Sequence, residues 1–115
     1  MKSFLFLLYL ALPATVLAES RVKPDFVCIE ESGFTYNFYF SSFTEIHIFD
    51  EKGKAVDQID SIQMHYRSIE TSPTVDQYSF VDEDGHQVAQ IEFKQGAKKG
   101  SGEMTDNDQA MKCSR

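Results

Sequence analysis

The side chains able to do chemistry in this chain are three histidines, two cysteines and 18 carboxylates. His47, His65 and His86 are widely separated, and no two have the i, i+2 or i, i+4 spacing that sets two imidazoles on one metal ion. His47 sits between Ile46 and Ile48, and His65 between Met64 and Tyr66. On a strand each would face away from its apolar neighbours, toward solvent or a barrel mouth. His86 follows a turn glycine and reads as a surface residue. The serines are scattered and no G-x-S-x-G elbow occurs, so no nucleophile with a base and an orienting acid is visible.

The carboxylates cluster as Glu30-Glu31, Asp50-Glu51, Asp82-Glu83-Asp84 and Asp106-Asn107-Asp108. Paired carboxylates could serve glycoside hydrolysis or bind calcium. These fall where turns are expected, and Asp and Asn favour turns for local reasons. None has the D-x-D-x-D-G spacing of an EF-hand loop. The stretch GAKKGSG, residues 96–102, lacks the Gly-Lys-Ser/Thr order of a phosphate-binding loop and reads as a mobile, locally basic hairpin loop. No catalytic residue, cofactor site or metal site is therefore assigned, and no cofactor is expected.

The cysteines are the exception. The chain opens with MKSFLFLLYLALPATVLAES. A basic Lys2, an apolar run from Phe4 to Leu12, Pro13 and a small-residue exit at Ala18 form the layout of a secretory leader. The run is shorter than the roughly 20 residues a membrane helix needs. Residues 1–18 are the expected signal peptide, 19–24 a loose polar tail, and 25–115 one domain with one core. In an exported chain the single pair Cys28 and Cys113 reads as a disulfide. It would close a loop of 113 − 28 = 85 residues and place the head and tail of the domain side by side. Losing Lys2 with the leader leaves 10 of the 11 basic residues against 18 acidic ones, a net −8. Such a field disfavours nucleic acid and anionic membranes and favours cationic partners. No further apolar run could span a membrane after cleavage of the leader.

The elements that would position these groups are strands. FTYNFYFSSF, residues 34–43, holds six aromatic residues in ten. Phe34, Tyr36, Phe38 and Phe40 share one face of a strand, and four rings decide which face is buried. Tyr39 and Phe43 stay unassigned. Ser41-Ser42 is a weak break: a bulge, a kink or a wider loop. In FTEIHIFD, residues 43–50, Thr44, Ile46 and Ile48 oppose Phe43, Glu45, His47 and Phe49. Residues 55–67 carry apolar positions at Val56, Ile59, Ile62, Met64 and Tyr66. Their change of parity predicts a bulge or break near Asp60-Ser61, with a short helix over 54–65 as the less favoured rival. A loop at 70–74, a strand at 75–81, an Asp-Gly turn at 82–85 and a return strand with Ala89, Ile91 and Phe93 on one face follow. A last hairpin joins residues 103–105 to 110–113 through 106–108. The pattern predicts an all-β antiparallel meander of seven or eight strands, closed or nearly closed into a barrel by the disulfide. A two-sheet sandwich is the alternative.

Phe26-x-Cys28, Gly33 and Cys113 are similar to the frame of the periplasmic inhibitors of C-type lysozyme, small exported eight-stranded barrels. The resemblance spans the mature chain and implies that fold and a periplasmic or secreted location. The family's Ser-x-Ser-Gly-x-x-Tyr loop is missing. Ser72-Pro73 and Tyr78 occupy the corresponding region without the Ser-Gly pair, so no inhibitory residue carries over. Three function classes follow from the residues. The first is a non-enzymatic binding module for a protein, in its sharpest form a cationic one such as lysozyme, or for a small apolar ligand. The second is a small extracytoplasmic hydrolase with an unrecognised site. The third is a structural component of the cell envelope.

Overall fold

The computed structural model describes residues 23–68, 74–105 and 108–115. They form eight strands: β1 (Phe26–Glu30), β2 (Thr35–Phe40), β3 (Thr44–Phe49), β4 (Ala55–Ser68), β5 (Val75–Val81), β6 (Gln87–Lys94), β7 (Lys99–Met104) and β8 (Gln109–Ser114). Each pairs antiparallel with the next, and β8 pairs with β1, so the sheet closes into a barrel. This settles the architecture as a barrel rather than a sandwich. The signal peptide, most of the tail, the core of the 70–74 loop and residues 106–107 lie outside the described residues.

Local alternation explains most of the walls. Tyr36 and Phe38 on β2, Thr44, Ile46 and Ile48 on β3, and Ala89, Ile91 and Phe93 on β6 are all buried. Phe34 and Phe40 pack against them. The barrel is filled by rings that meet across it. Phe26 from β1 lies 4.7 Å from Tyr78 on β5, 5.0 Å from Phe93 on β6 and 4.9 Å from Phe40 on β2, centroid to centroid. Phe38 and Phe80 stand 4.8 Å apart. Burying each such ring contributes about 2–3 kcal/mol, and their tilted and edge-on pairing adds a little more.

Three hairpins share one turn. Glu30–Phe34, Asp50–Lys54 and Asp82–His86 each have the first residue's N–H donating to the fifth residue's carbonyl. In each, the fourth residue, a glycine at φ 101, 83 or 87°, donates back to the first. A left-handed fourth residue is what this turn requires, and glycine takes it without steric cost. Asp50 and Asp82 reinforce the turn by accepting two backbone N–H groups each on Oδ1. Glu30, one methylene longer, instead turns inward and accepts from the Tyr36 hydroxyl at 2.7 Å and from Ser32 Oγ at 2.8 Å.

Three expectations need correction. GAKKGSG is not a loop throughout: Lys99 to Gly102 belong to β7, with Gly100 opposite Phe93 and Gly102 opposite Ile91. Low side-chain bulk there is a packing requirement, because the partners on β6 fill the space a Cβ would need. Second, no bulge falls at Asp60-Ser61. The bulge in this hairpin sits at Val56, between the pairs Ile48–Asp57 and Phe49–Ala55. At Ser61/Ile62 the strand changes partner: residues 55–61 pair with β3 and residues 62–68 with β5. Third, the apolar neighbours that His65 was expected to face away from, Met64 and Tyr66, are themselves exposed, as is Ile62, and His65 takes the inner side. Ser41–Phe43 makes the wider loop between β2 and β3, with Ser41 N donating to the Phe43 carbonyl.

Candidate functional site

On the outer wall, register stacks two rows of side chains across β2, β3 and β4. One runs Asn37, His47, Gln58, and the next Tyr39, Glu45, Asp60. Opposed residues of antiparallel strands point to the same face, so Glu45 and Asp60 present two carboxylates side by side. Like charges facing one another destabilise a sheet by themselves. His47 Nε2 lies 2.9 Å from Glu45 Oε1, and the Tyr39 ring stands 4.7 Å from the His47 ring. Gln58 Nε2 donates to Asp60 Oδ1 at 3.3 Å. Tyr39, Phe49, Asp57 and Gln58 line the open groove of about 750 Å³ that contains Glu45 and His47. Tyr39, unassigned by alternation alone, is thus a wall of this groove. An aromatic face beside several carboxylates suits an ammonium or guanidinium group. The arrangement offers less for catalysis. The groove's serine hydroxyl, Ser41 Oγ, is engaged in donating to the Phe43 carbonyl at 3.0 Å.

A second charged centre closes one end of the barrel. The Asp76 side chain on β5 is 4 % exposed. Arg67 Nε donates to its Oδ1 at 2.7 Å, Arg115 Nη1 lies 3.3 Å from Oδ2, and His65 Nε2 lies 3.5 Å from Oδ1. His65 also stacks on Tyr78, centroids 4.3 Å apart and planes 9° apart. It therefore occupies the barrel mouth, one of the two placements its spacing allowed. The Arg67 hydrogen bond is the largest influence on Asp76 and holds its carboxyl below the usual carboxylate range. Burial works the other way, and Arg115 and His65 add to the lowering. Arg115 further donates to the carbonyls of Ala97 and Lys94 and lies 4.2 Å over the Phe93 ring. The cluster ties the end of β8 to β4, β5 and β6.

The cluster predicts a pH response. A carboxylate with a depressed folded-state pKa contributes stability that is complete above its unfolded value, here 3.8, and is lost as pH falls through the lower folded value. Asp76→Asn should thus destabilise the barrel at pH 7 and flatten its stability below pH 3.8. Arg67 and His65 keep 47 % and 36 % of their side-chain surface exposed, so water lies one layer away and the pair is partly screened. The expected cost at neutral pH is about 1–3 kcal/mol. Urea unfolding of both proteins at pH 7 and pH 2.5 measures it; parallel pH profiles would refute the assignment.

Asp82, Asp84 and His86 form a group, among the described residues, whose ligand atoms lie within 4.8 Å of one another. The hairpin accounts for it, since Asp82 Oδ1 is spent on two backbone N–H groups and Asp84 and His86 are exposed. Asp106 and Asn107 of the last acidic cluster, and Ser72-Pro73, lie outside the described residues. The predicted disulfide is present. Cys28 on β1 and Cys113 on β8 are directly opposed in the closing ladder, with Cα atoms 4.0 Å apart. Sequence reasoning missed Asp76, whose partners Arg67, His65 and Arg115 lie 9, 76 − 65 = 11 and 39 residues away, and the Glu45–Asp60 pairing. An Asp at an inward position of an alternating strand was the available signal for the first.

The fold and these two centres define an eight-stranded, disulfide-closed antiparallel barrel with an aromatic interior and an acidic outer groove. Comparison with protein-family models, with curated proteins and with solved structures finds no match.

Proposed function

We propose that this protein is a non-enzymatic binding module that works outside the cytoplasm and holds a cationic protein against the outer wall of its barrel. The observation that carries this reading is the opposition of Glu45 and Asp60 beside Tyr39 and His47. Two carboxylates facing one another are a liability in the free protein, and a lysine or arginine from a partner relieves it. The net negative charge of the chain would speed approach of such a partner. The leader-like N-terminus and the disulfide support an oxidising compartment. Among the described residues no helix is long and apolar enough to cross a membrane. The ring contacts across the barrel occupy its interior, which supports a binding surface on the outer wall over a small apolar ligand held in the lumen.

The test is titration with lysozyme and with fully acetylated lysozyme at low and physiological salt. Native lysozyme should bind and the acetylated form should not. Glu45→Gln with Asp60→Asn should weaken binding about ten-fold, equivalent to about 1.4 kcal/mol, and reduce its salt dependence. Glu83→Gln with Asp84→Asn, in an exposed turn, should leave it unchanged. Binding indifferent to salt and to the groove variant would overturn the proposal. So would failure to bind this and other basic proteins.

A further inference from the structure

β4 is fourteen residues long and changes partner at its waist. In a barrel its two neighbours lie on opposite edges, so each half of β4 has one edge without a strand among those described. The halves treat that open edge differently. Residues 55–61 carry Asp57 and Asp60, and charged side chains are a common protection of an exposed edge. Residues 62–68 carry no carboxylate. Their two basic side chains, His65 and Arg67, lean on Asp76 at the inner face. Their outer face presents Ile62, Met64 and Tyr66, which are 60, 48 and 52 % exposed. Phe43, 40 % exposed, takes the next register position beyond the Thr44–Ser61 pair, beside Ile62 and on the same outward parity. Four of the six exposed large apolar residues among those described are therefore gathered along one unprotected half-strand. Scattered apolar residues need no explanation, but a row of them on an open edge does.

We propose that this half-strand is a self-association edge, and that a second copy of the chain pairs with it antiparallel through residues 62–68 to join the two barrels by one continuous ladder. The segment is chemically complementary to itself. With the two-fold axis at its midpoint, His65, each Met64 faces the partner's Tyr66 on the outer side. Sulfur–aromatic and aromatic cross-strand pairs of this kind are favourable. On the inner side Gln63 faces the partner's Arg67, so no two like charges are forced together there. At the axis His65 meets the partner's His65, each leaning on its own buried Asp76. Charge favours this occupant over others. An acidic partner is repelled by the net charge of the chain, and a basic one is drawn to the acidic half of β4 and the groove beside it. An edge without carboxylates that matches itself fits a second copy. Strand addition of this type draws affinity from main-chain hydrogen bonds and specificity from alternate side chains. The inference rests on β4 alone and is independent of the function proposed above.

Sedimentation equilibrium of the mature protein over a wide concentration range tests it. The expected result is a reversible monomer–dimer equilibrium, with slower amide exchange at residues 62–68 in the dimer. Met64→Lys and, separately, Ile62→Lys should shift the dissociation constant upward at least ten-fold. Both side chains are exposed, so circular dichroism should be unchanged. Val56→Lys, on the acid-guarded half, should leave the equilibrium as it was. A single protomer mass at every concentration would overturn the proposal, and so would a dimer that Met64→Lys and Ile62→Lys leave intact.

Discussion

Replacing Cys28 and Cys113 together by alanine is expected to remove about 4–5 kcal/mol of stability. The bridge closes a loop with a sequence separation of 85, and the chain-entropy cost of an unfolded state that has lost such a link is of that size. A small domain holds only about 5–15 kcal/mol in total, so the variant should be partly unfolded at 37 °C. The position of the bridge bears on the outcome. It joins directly opposed residues of β1 and β8, the ladder that closes the barrel. Without it that ladder joins strands at opposite ends of the domain, and packing and ladder hydrogen bonds must overcome the loop-closure entropy unaided. Urea unfolding of the oxidised protein, the reduced protein and the double variant measures the effect. The last two should coincide. A difference from the oxidised protein below about 1 kcal/mol would mean that packing alone closes the barrel.

Gly100→Ala is expected to cost about 2–3 kcal/mol, although it adds a single methyl to a sheet. A Cβ at position 100 would overlap the Glu92 carbonyl oxygen and come within 2.5 Å of Phe93 Cδ1. The carbonyl belongs to the neighbouring backbone and cannot swing away. The Phe93 ring has little room, since Phe26 lies 5.0 Å from it and the Arg115 guanidinium 4.2 Å over it. Displacing that ring would also move Arg115 from Asp76, so part of the loss should appear as a changed acid response. Ser101→Ala, at the neighbouring exposed position, should fall within about 0.5 kcal/mol of the parent. Equal urea midpoints for the two variants would show that β7 tolerates side chains facing inward.

These two positions mark the range of what could be read from the chain. The disulfide followed from counting: two cysteines behind a leader-like stretch leave one pairing. Gly100 and Gly102 were legible as residues without side chains but were read as loop, because glycine in a strand weakens it unless something opposite needs the space. What needs the space is Phe93 and Ile91, and their register opposite β7 is a pairing of strands, not a local pattern. The same limit hid Asp76. Its place as an inward polar residue on β5 was visible, but Arg67 and Arg115 reach it from β4 and from the end of β8. Tyr39 stayed unassigned by alternation, and only the neighbouring strand supplies His47 as its companion.

The amino-acid sequence by itself determined the strands and the inward faces of β2, β3 and β6. It also determined the glycine turns and the meeting of the two ends of the domain. All of these depend on period-two alternation, on the few residues able to take a left-handed conformation, or on a covalent link. Tertiary structure alone decided that β4 changes partner at Ser61, that Glu45 faces Asp60, and that Arg67, Arg115 and His65 converge on Asp76. Those features depend on the stagger between strands. Stagger is set by how rings of different size fill one closed interior, and no stretch of chain carries that information locally.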